Sequence, residues 1–295
     1  MFDVIFDVII YHNNCLDGFA SFFCFWKFKL LKKNYRAIPD KPSATNPPPN
    51  LENKNIVIVD VAYKNEVIEK IVKNAKNVVF IDHHKTIIDD VKQITANNLK
   101  IIYDINECGA SLSWEYCTKL KPPTIIKLIK DNDIGIWNIK ETKPFITAIG
   151  SHLDLRSSSA SGIKNLKKFE LLLNDDELNK IIEEGKNYIS YKKYLIKEIM
   201  QGYTMKKLKF KSNIYNVAVL NTKSSLNSEI GRKIAKLPNV DFSIIWYYNH
   251  KKKIFILSFR STKVDVGEIA KSYGGGGHKL ASACSITTFI DNIFK

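Results

Sequence analysis

Short, continuous apolar runs rich in β-branched residues recur in the N-terminal part of the chain, at residues 8–11, 56–59 and 78–81. Such runs are typical of strands that are buried on both faces of a parallel sheet. Segments with helical periodicity follow the first two runs, at residues 19–31 and 64–73. Because strands and helices alternate, the pattern predicts an α/β domain with a mostly parallel sheet and helices on both faces.

Between Asp175 and Tyr203 apolar residues recur every three or four positions, which predicts one long amphipathic helix or two in succession. We therefore expect the α/β domain over residues 1–155, a helical linker over 156–208, and a smaller C-terminal α+β domain over 209–295. The other segments behind this division are helical at 111–116, 124–130 and 266–272, and strand-like at 214–220, 242–248 and 254–259.

Five prolines lie between Ile38 and Asn50. Proline has no backbone N–H to donate and fixes its own φ, so this segment cannot form a central strand. The sequence predicts an irregular surface loop here, inside the first domain.

The chain has 295 residues, of which 45% are hydrophobic, and a formal net charge of +15. Its length supports two domains with cores of their own. The positive charge favours polyanionic partners, because lysine and arginine concentrate phosphate groups. Alternatively, the many lysines only keep the protein surface solvated. The charge alone therefore assigns no function.

The five cysteines are odd in number and show no CxxC spacing. This pattern argues against a disulfide framework or a structural zinc site and favours a reducing compartment. The apolar start lacks a basic leader, and the aromatic run SFFCFWKF is too short to span a bilayer. The sequence predicts a soluble cytoplasmic protein.

Side chains that can bind metals follow directly after the three apolar runs: His12, Asp60, and the triplet Asp82, His83 and His84. The carboxyl ends of parallel strands meet at one edge of a sheet, so these side chains should lie together. A lone histidine or aspartate at such a place often only packs or caps a helix. Three consecutive polar residues after a buried strand would be costly without a partner, so together they predict a metal site.

The turn after the first run adds Cys15 and Asp17, and a later stretch adds Asp131 and Asp133. A mixture of carboxylates and imidazoles suits Mn²⁺ better than a thiolate-dominated zinc site. The inventory of ligands is large enough for two ions.

The segments YHNNCLDGF, VDVAY, IDHH and KDNDIGIW, with ECGASLSWEY between the last two, resemble the ordered motifs of the DHH phosphoesterase superfamily. This group includes RecJ-type exonucleases, oligoribonucleases, cyclic-dinucleotide phosphodiesterases and, more distantly, manganese inorganic pyrophosphatases. The segment RSTKVDVGEIAKSYGGGGHKLASA resembles the DHH-associated C-terminal substrate-binding domain. The resemblance implies that residues 1–155 are the catalytic domain and residues 209–295 the substrate-binding domain.

The resemblance also assigns roles to individual residues. Asp60 would bridge two metal ions, Asp82 would orient an imidazole, and His84 would face the substrate phosphate. The implied metal ligands are His12, Asp17, Asp60, His83 and Asp131, with Cys15 and Asp133 as alternatives. The implied catalytic residues are His84, Asp82 and Arg260, and the implied substrate contacts are His84, Arg260, Gly275, Gly276, Gly277, His278 and Ser282.

RecJ-type members have an aspartate where this chain has Cys15. The loss of that carboxylate predicts weak or conditional occupancy of the first of two metal sites, and ligation by a Cys15 thiolate is the alternative. The expected ion is Mn²⁺, with Mg²⁺ or Co²⁺ as alternatives. At the fourth motif we prefer Asp131 over Asp133 as the ligand, because of its spacing from the preceding helix.

The expected function is a metal-dependent phosphohydrolase that uses a metal-activated water on a short nucleotidic substrate. That substrate would be an oligoribonucleotide, a cyclic dinucleotide or a 3′,5′-bisphosphonucleoside. The alternatives are an exopolyphosphatase- or pyrophosphatase-like enzyme and a catalytically weak nucleotide-binding sensor. The expected partner is a phosphate-rich small nucleotide or a short single-stranded nucleic acid, without a membrane, and a homodimer is an option.

Overall fold

Two sheets organise the chain in a computed structural model that describes residues 4–87, 89, 93–155 and 162–294. Each sheet belongs to one of two compact units, Met1–Ile189 and Ser190–Lys295. No helix in the described part of the chain is long and apolar enough to cross a membrane. The domain boundaries expected from the sequence stay predictions, and the start of the expected linker, residues 156–161, lies outside the described residues.

The N-terminal unit contains a five-stranded sheet in the order β2-β1-β3-β4-β5, and every neighbouring pair is parallel. The register aligns Tyr11 with Val59 and Val59 with Ile81, so β1, β3 and β4 end side by side. This confirms the predicted parallel sheet. The strands are β1 (Phe6–His12), β2 (Leu31–Asp40), β3 (Asn55–Val59), β4 (Asn77–Asp82) and β5 (Leu99–Tyr103).

Helices cover both faces of this sheet, as predicted. Alternate residues of β1 point to opposite sides: Ile9 packs in the core that contains Phe19, and Ile10 packs in the core that contains Ile68. The helices of the unit are α1 (Leu16–Lys27), α2 (Asn65–Asn74), α3 (Gly109–Thr118), α4 (Thr124–Asp133), α5 (Thr142–His152) and α6 (Ile163–Leu171). The α/β class of the N-terminal domain is thereby confirmed.

A single long helix, α7 (Asp175–Met200), runs from the first unit into the second, which settles the choice between one helix and two. The second unit has a mixed sheet in the order β10-β11-β9-β8-β7-β6. Its helices, α8 and α9, pack in different cores. The elements are β6 (Thr204–Phe210), β7 (Asn213–Asn221), α8 (Asn227–Ile234), β8 (Phe242–Asn249), β9 (Ile254–Ser261), α9 (Val266–Ser272), β10 (Gly276–His278) and β11 (Ala281–Ile286).

The expectation of an irregular loop from Ile38 to Asn50 is wrong for its first three residues, which complete strand β2. The strand β2 lies at the edge of the sheet and pairs only with β1, so Pro39 needs no ladder bond on its free side. The rest of the segment has no regular secondary structure, as predicted.

Candidate metal centre

Asp60 is the centre of the site, directly after strand β3. It is buried, with 1% of its surface exposed, and it adopts a left-handed backbone conformation with φ of 60°. Aspartate tolerates this conformation better than most residues, and the Asp60 N–H donates to the Ile81 carbonyl at 2.9 Å. The turn therefore holds the carboxylate at the edge where β1, β3 and β4 end.

Four other side chains converge on Asp60 or its neighbours. His83 Nε2 lies 3.3 Å from Asp60 Oδ1, 3.2 Å from Asp133 Oδ2 and 3.7 Å from Asp17 Oδ2. On the other side, His12 Nδ1 lies 3.4 Å from Asp60 Oδ2. Each of the three neighbouring strand ends thus contributes to one cluster, as the sequence predicts.

The hydrogen bonding of this cluster is incomplete without a further group. His12 Nδ1, Asp60 Oδ2 and His83 Nε2 are buried and have no hydrogen-bond partner among the described residues. Buried polar atoms without partners are rare and costly. Imidazole nitrogens and carboxylate oxygens that face one another at these distances fit divalent cations of the Mn²⁺ type.

The close approach of three carboxylates, those of Asp17, Asp60 and Asp133, also favours a bound cation. Burial raises the pKa of Asp17, and the Asp60 and Asp133 carboxylates raise it further. Burial lowers the pKa of His83, but the carboxylates of Asp60, Asp17 and Asp133 outweigh this effect and raise it to about 9. Burial alone would raise the pKa of Asp60, but the imidazoles of His12, His83 and His84 lower it to about 2. A bound cation would relieve the repulsion among the three carboxylates.

Cys15 lies at the same edge. His12, Cys15 and Asp60 each place one candidate ligand atom within 4.8 Å of the others, as do Asp17, His83 and Asp133. Burial raises the pKa of the Cys15 thiol, and Asp60 and Asp17 raise it further, so the group is a neutral thiol in the metal-free protein. The structure therefore places Cys15 among the candidate ligands of a first metal ion, and both this site and its occupancy stay predictions.

Asp17 is fixed by the first turn of helix α3. The Gly109 and Ala110 N–H groups donate to its two carboxylate oxygens at 2.6 and 2.9 Å. A Cβ on Gly109 would lie 2.8 Å from Asp60 Cβ and 2.9 Å from Asp17 Oδ2, so only glycine fits here. Sequence reasoning assigned no role to Gly109, although it lies in the ECGASLSWEY segment that carries part of the family resemblance.

Asp82 orients His84. One of its oxygens, Oδ1, accepts hydrogen bonds from the N–H groups of His83 and His84 at 2.6 and 2.8 Å, and lies 2.7 Å from His84 Nδ1. The Tyr103 hydroxyl also donates to the His84 carbonyl at 2.9 Å. With Nδ1 engaged by Asp82, Nε2 is the ring nitrogen with which His84 can contact a ligand. These contacts are compatible with the orienting role implied for Asp82, which stays a prediction.

The preference for Asp131 over Asp133 must be corrected. The Asn138 and Ile139 N–H groups and the Thr142 hydroxyl donate to the Asp131 carboxylate at 2.9, 3.2 and 2.5 Å, and the residue is buried. Its oxygens are therefore committed to the turn that leads into α5. Asp133 reaches His83 instead, because it ends α4 about one helical half-turn later.

The residues of the C-terminal unit that are predicted to contact the substrate differ in their burial and hydrogen bonding. Arg260 is half-buried and donates to the Phe259 carbonyl and the Ser228 hydroxyl, both at 2.7 Å. Ser282 is buried, and its hydroxyl donates to the Val266 carbonyl at 2.6 Å, which argues against a direct substrate contact. The side chain of His278 is exposed. The roles of Arg260 and His278 in substrate binding stay predictions.

The glycine run is ordered in the structure. Gly276, Gly277 and His278 form strand β10 and pair with β11. Gly277 has φ of 140°, and a Cβ on Gly275 would lie 2.2 Å from the Ala283 carbonyl oxygen. Gly275 and Gly277 are thus required by the packing of the hairpin, whether or not their backbone also binds an anion, whereas a Cβ on Gly276 would meet no atom within 4 Å.

Comparisons with known proteins agree with the motifs. Residues 214–294 match the DHHA1 domain family. The chain is 28% identical to uncharacterized protein R106 of Acanthamoeba polyphaga mimivirus, over 95% of this chain and 68% of that protein. It is 26% identical to oligoribonuclease NrnB of Bacillus subtilis (strain 168), over 81% of this chain and 61% of that protein. The chain thus spans about two thirds of the length of these relatives.

Solved structures with similar folds cover nearly the whole chain at low identity. One is the pGpG-specific phosphodiesterase PggH of Vibrio cholerae, 15% identical over 97% of this chain and 94% of that one, with a TM-score of 0.43. Another is RecJ of Thermus thermophilus in complex with Mn²⁺, 12% identical over 97% of this chain and 50% of that one, with a TM-score of 0.33. At such scores the likeness adds nothing on function.

Proposed function

Because the chain belongs to the DHH phosphoesterase superfamily, we propose that it is a metal-dependent phosphohydrolase that cleaves short nucleotidic substrates. The substrates would be oligoribonucleotides, cyclic dinucleotides or 3′,5′-bisphosphonucleosides. The observation that carries the proposal is the set of buried candidate ligand atoms on His12, Asp60 and His83 that have no hydrogen-bond partner among the described residues. A protein without a bound cation would have little reason to retain them.

The chain offers two groups of metal ligands that share Asp60. His12, Asp60 and Cys15 would hold one ion, and Asp17, Asp60, His83 and Asp133 the other. Mn²⁺ fits this mixture of oxygen and nitrogen, and Mg²⁺ or Co²⁺ are alternatives. When bound, such ions supply an activated water and offset negative charge on the phosphate.

In this proposal His84 binds the substrate phosphate. Burial lowers the pKa of its imidazole, but the Asp82 carboxylate outweighs this effect and raises it. This effect favours the protonated ring, in which Nδ1 would donate to Asp82 and Nε2 would donate to a phosphate oxygen. Asp82 is a positioning residue because it acts through His84.

A nucleotidic substrate is supported by the relationship to oligoribonuclease NrnB and by the net charge of +15. A positively charged protein attracts phosphate-rich molecules and raises their rate of encounter. The coarser statement, hydrolysis of a phosphoester bond, is supported by the relationship to NrnB together with the sequence motifs of the chain.

The test is hydrolysis with Mn²⁺ of a panel containing short RNA, a cyclic dinucleotide, a 3′,5′-bisphosphonucleoside and polyphosphate, by wild type and by Asp60→Asn. Asparagine tolerates the left-handed backbone of residue 60, so the fold should survive. We expect the variant to lose more than about a hundredfold in rate, since even residues behind metal ligands are worth about 10–100-fold.

Asp104→Asn is the matched control, because Asp104 is exposed and lies in the turn after β5. Turnover that is equal in wild type and Asp60→Asn would refute the proposal. Turnover of polyphosphate alone would favour an exopolyphosphatase, and nucleotide binding without turnover would favour a sensor.

A further inference from the structure

A pocket lined mainly by polar residues opens beside the candidate metal centre in the N-terminal unit. It has a volume of about 520 Å³ and is lined by His12, Asn13, Asn14, Lys41, Pro42 and Ser43. Small-molecule sites have volumes of about 300–1,000 Å³, so this pocket is large enough for part of a nucleotide. His12 belongs both to this lining and to the cluster around Asp60.

The two walls of the pocket are tied together through Asp40. In the β1–β2 pair His12 lies opposite Asp40, and the Asn13 N–H donates to the Asp40 carbonyl at 2.8 Å. The Lys41 N–H donates to Asp40 Oδ1 at 2.8 Å, and the buried Tyr63 hydroxyl donates to Asp40 Oδ2. Both carboxylate oxygens of Asp40 are therefore engaged, and the backbone of Lys41 is held next to the metal centre.

The rest of the proline-rich loop is anchored at separate points. The Arg36 guanidinium donates to the carbonyls of Pro49 and Asn50 at 3.2 and 2.9 Å. From helix α2, Lys70 Nζ donates to Asn46 Oδ1 at 3.1 Å. The loop that carries Lys41, Pro42 and Ser43 is thus fixed at its beginning, middle and end.

The side chains that line the pocket suit a ligand that carries an anionic group and hydroxyl groups close to it. Lys41 supplies a positive charge, Asn13 and Asn14 supply amide donors, and Ser43 supplies a hydroxyl. Among the described residues that line the pocket there is no acidic side chain. Lysine is a flexible point charge with three donors, which suits a phosphate group beside a ribose.

We propose that this pocket binds the phosphate group next to the scissile one, with Lys41 as its counter-charge. The inference rests on the proposed function and predicts that, within its substrate class, molecules with at least two phosphate groups bind more tightly than those with one. His12 then separates the metal centre from a specificity pocket, and the proline-rich loop forms the outer wall of that pocket.

The test compares three dinucleotides: one without a terminal phosphate, one with a 5′-phosphate and one with a 3′-phosphate. Wild type should show a lower KM for one of the two phosphorylated forms. Lys41→Ala should raise that KM about tenfold, the effect of one charge-assisted hydrogen bond, and leave kcat and the KM for the unphosphorylated form unchanged. Lys41→Arg should restore most of the preference.

Lys33→Ala is the matched control, because Lys33 is exposed on β2 and lies outside the pocket. Lys41→Ala would overturn the inference if it changed the KM of all three dinucleotides equally or changed none. If wild type hydrolysed no dinucleotide, the proposed function would fail for this substrate class. Calorimetric titration of the same three molecules would then decide the inference alone, and equal affinities in wild type and Lys41→Ala would refute it.

Discussion

Asp131 and Asp133 are separated by one residue, yet the structure uses them differently. Asp131 accepts hydrogen bonds from Asn138, Ile139 and Thr142, which fixes the turn before α5. Asp133 instead faces His83, and burial and the Asp60 carboxylate raise its pKa. The Asp131 carboxylate is satisfied by hydrogen bonds within the fold, whereas the Asp133 carboxylate faces the candidate metal centre and is available as a ligand.

This difference predicts opposite effects of the same change. Asp131→Asn should lower the free energy of unfolding by about 1–3 kcal/mol, because one of the two buried acceptor oxygens is replaced by an NH2 donor that faces the N–H of Asn138 or of Ile139. Asp133→Asn should leave stability unchanged or slightly higher in the metal-free protein, and should weaken Mn²⁺ binding at least about tenfold. Urea unfolding measures the first effect and calorimetric titration the second.

The two variants control for each other. Weaker Mn²⁺ binding in Asp131→Asn than in Asp133→Asn, with the fold intact, would mean that Asp131 is the ligand after all. Sequence alone could not decide between them, because the choice depends on which way the chain turns after α4. The residues His12, Asp60 and His83 could be predicted, because each directly follows an apolar run that had to be a buried strand.

At the scale of elements, helix α3 holds the Asp17 side chain of the candidate metal centre in place. The first two N–H groups of α3 donate hydrogen bonds to the Asp17 carboxylate. Because Gly109 has no side chain, the backbone of α3 can approach Asp60 closely. The N-terminal end of a helix carries partial positive charge, so α3 stabilises Asp17 even before a cation binds.

Gly109→Ala should therefore damage both the fold and the site. Its Cβ would clash with Asp60 Cβ and Asp17 Oδ2, which belong to the packed centre rather than to a flexible chain end. We expect a loss of about 1–3 kcal/mol in the free energy of unfolding, typical of overpacking, together with weaker Mn²⁺ binding. Thermal unfolding and calorimetric titration give the two values.

Gly150→Ala is the control for this helix experiment. Gly150 lies in helix α5, and a Cβ there would meet no atom within 4 Å. Alanine should be neutral or stabilise the helix by up to about 1 kcal/mol. Equal behaviour of the two alanine variants would show that the approach of α3 does not matter to the site.

The strands could be predicted from the sequence where burial on both faces requires a continuous run of apolar residues. Strands β1, β3 and β4 are apolar on both sides because helices cover both faces of the sheet. Strand β2 was missed because it lies at the sheet edge and carries exposed lysines. Tertiary position, rather than local propensity, makes it a strand.

At the scale of the whole molecule, every residue of the candidate metal centre belongs to the N-terminal unit, Met1–Ile189. The C-terminal unit has separate cores around its own sheet. A ligand stabilises the part of a protein that binds it, by about 2.7 kcal/mol at a hundredfold excess over its Kd. Mn²⁺ should therefore stabilise the N-terminal unit against unfolding and leave the stability of the C-terminal unit unchanged.

We expect saturating Mn²⁺ to raise the melting temperature of the N-terminal unit by roughly 5–10 °C. The variant Trp246→Phe keeps only the three tryptophans of that unit, so its fluorescence reports the unit alone. Asp60→Asn should remove the shift. A shift of equal size in a variant that keeps only Trp246 would contradict the assignment of the metal centre to one unit.

The loop of residues 41–50 leaves from an edge strand and is anchored by Arg36, Lys70 and Asp40, none of which belongs to the cluster around Asp60. Mutations, insertions and deletions in this loop can therefore accumulate without disturbing the ends of β1, β3 and β4. If the pocket beside His12 binds the substrate as proposed, changes in this loop would alter substrate preference while the candidate metal ligands stay the same. For protein engineering, this loop is accordingly the place to randomise when a different substrate is wanted.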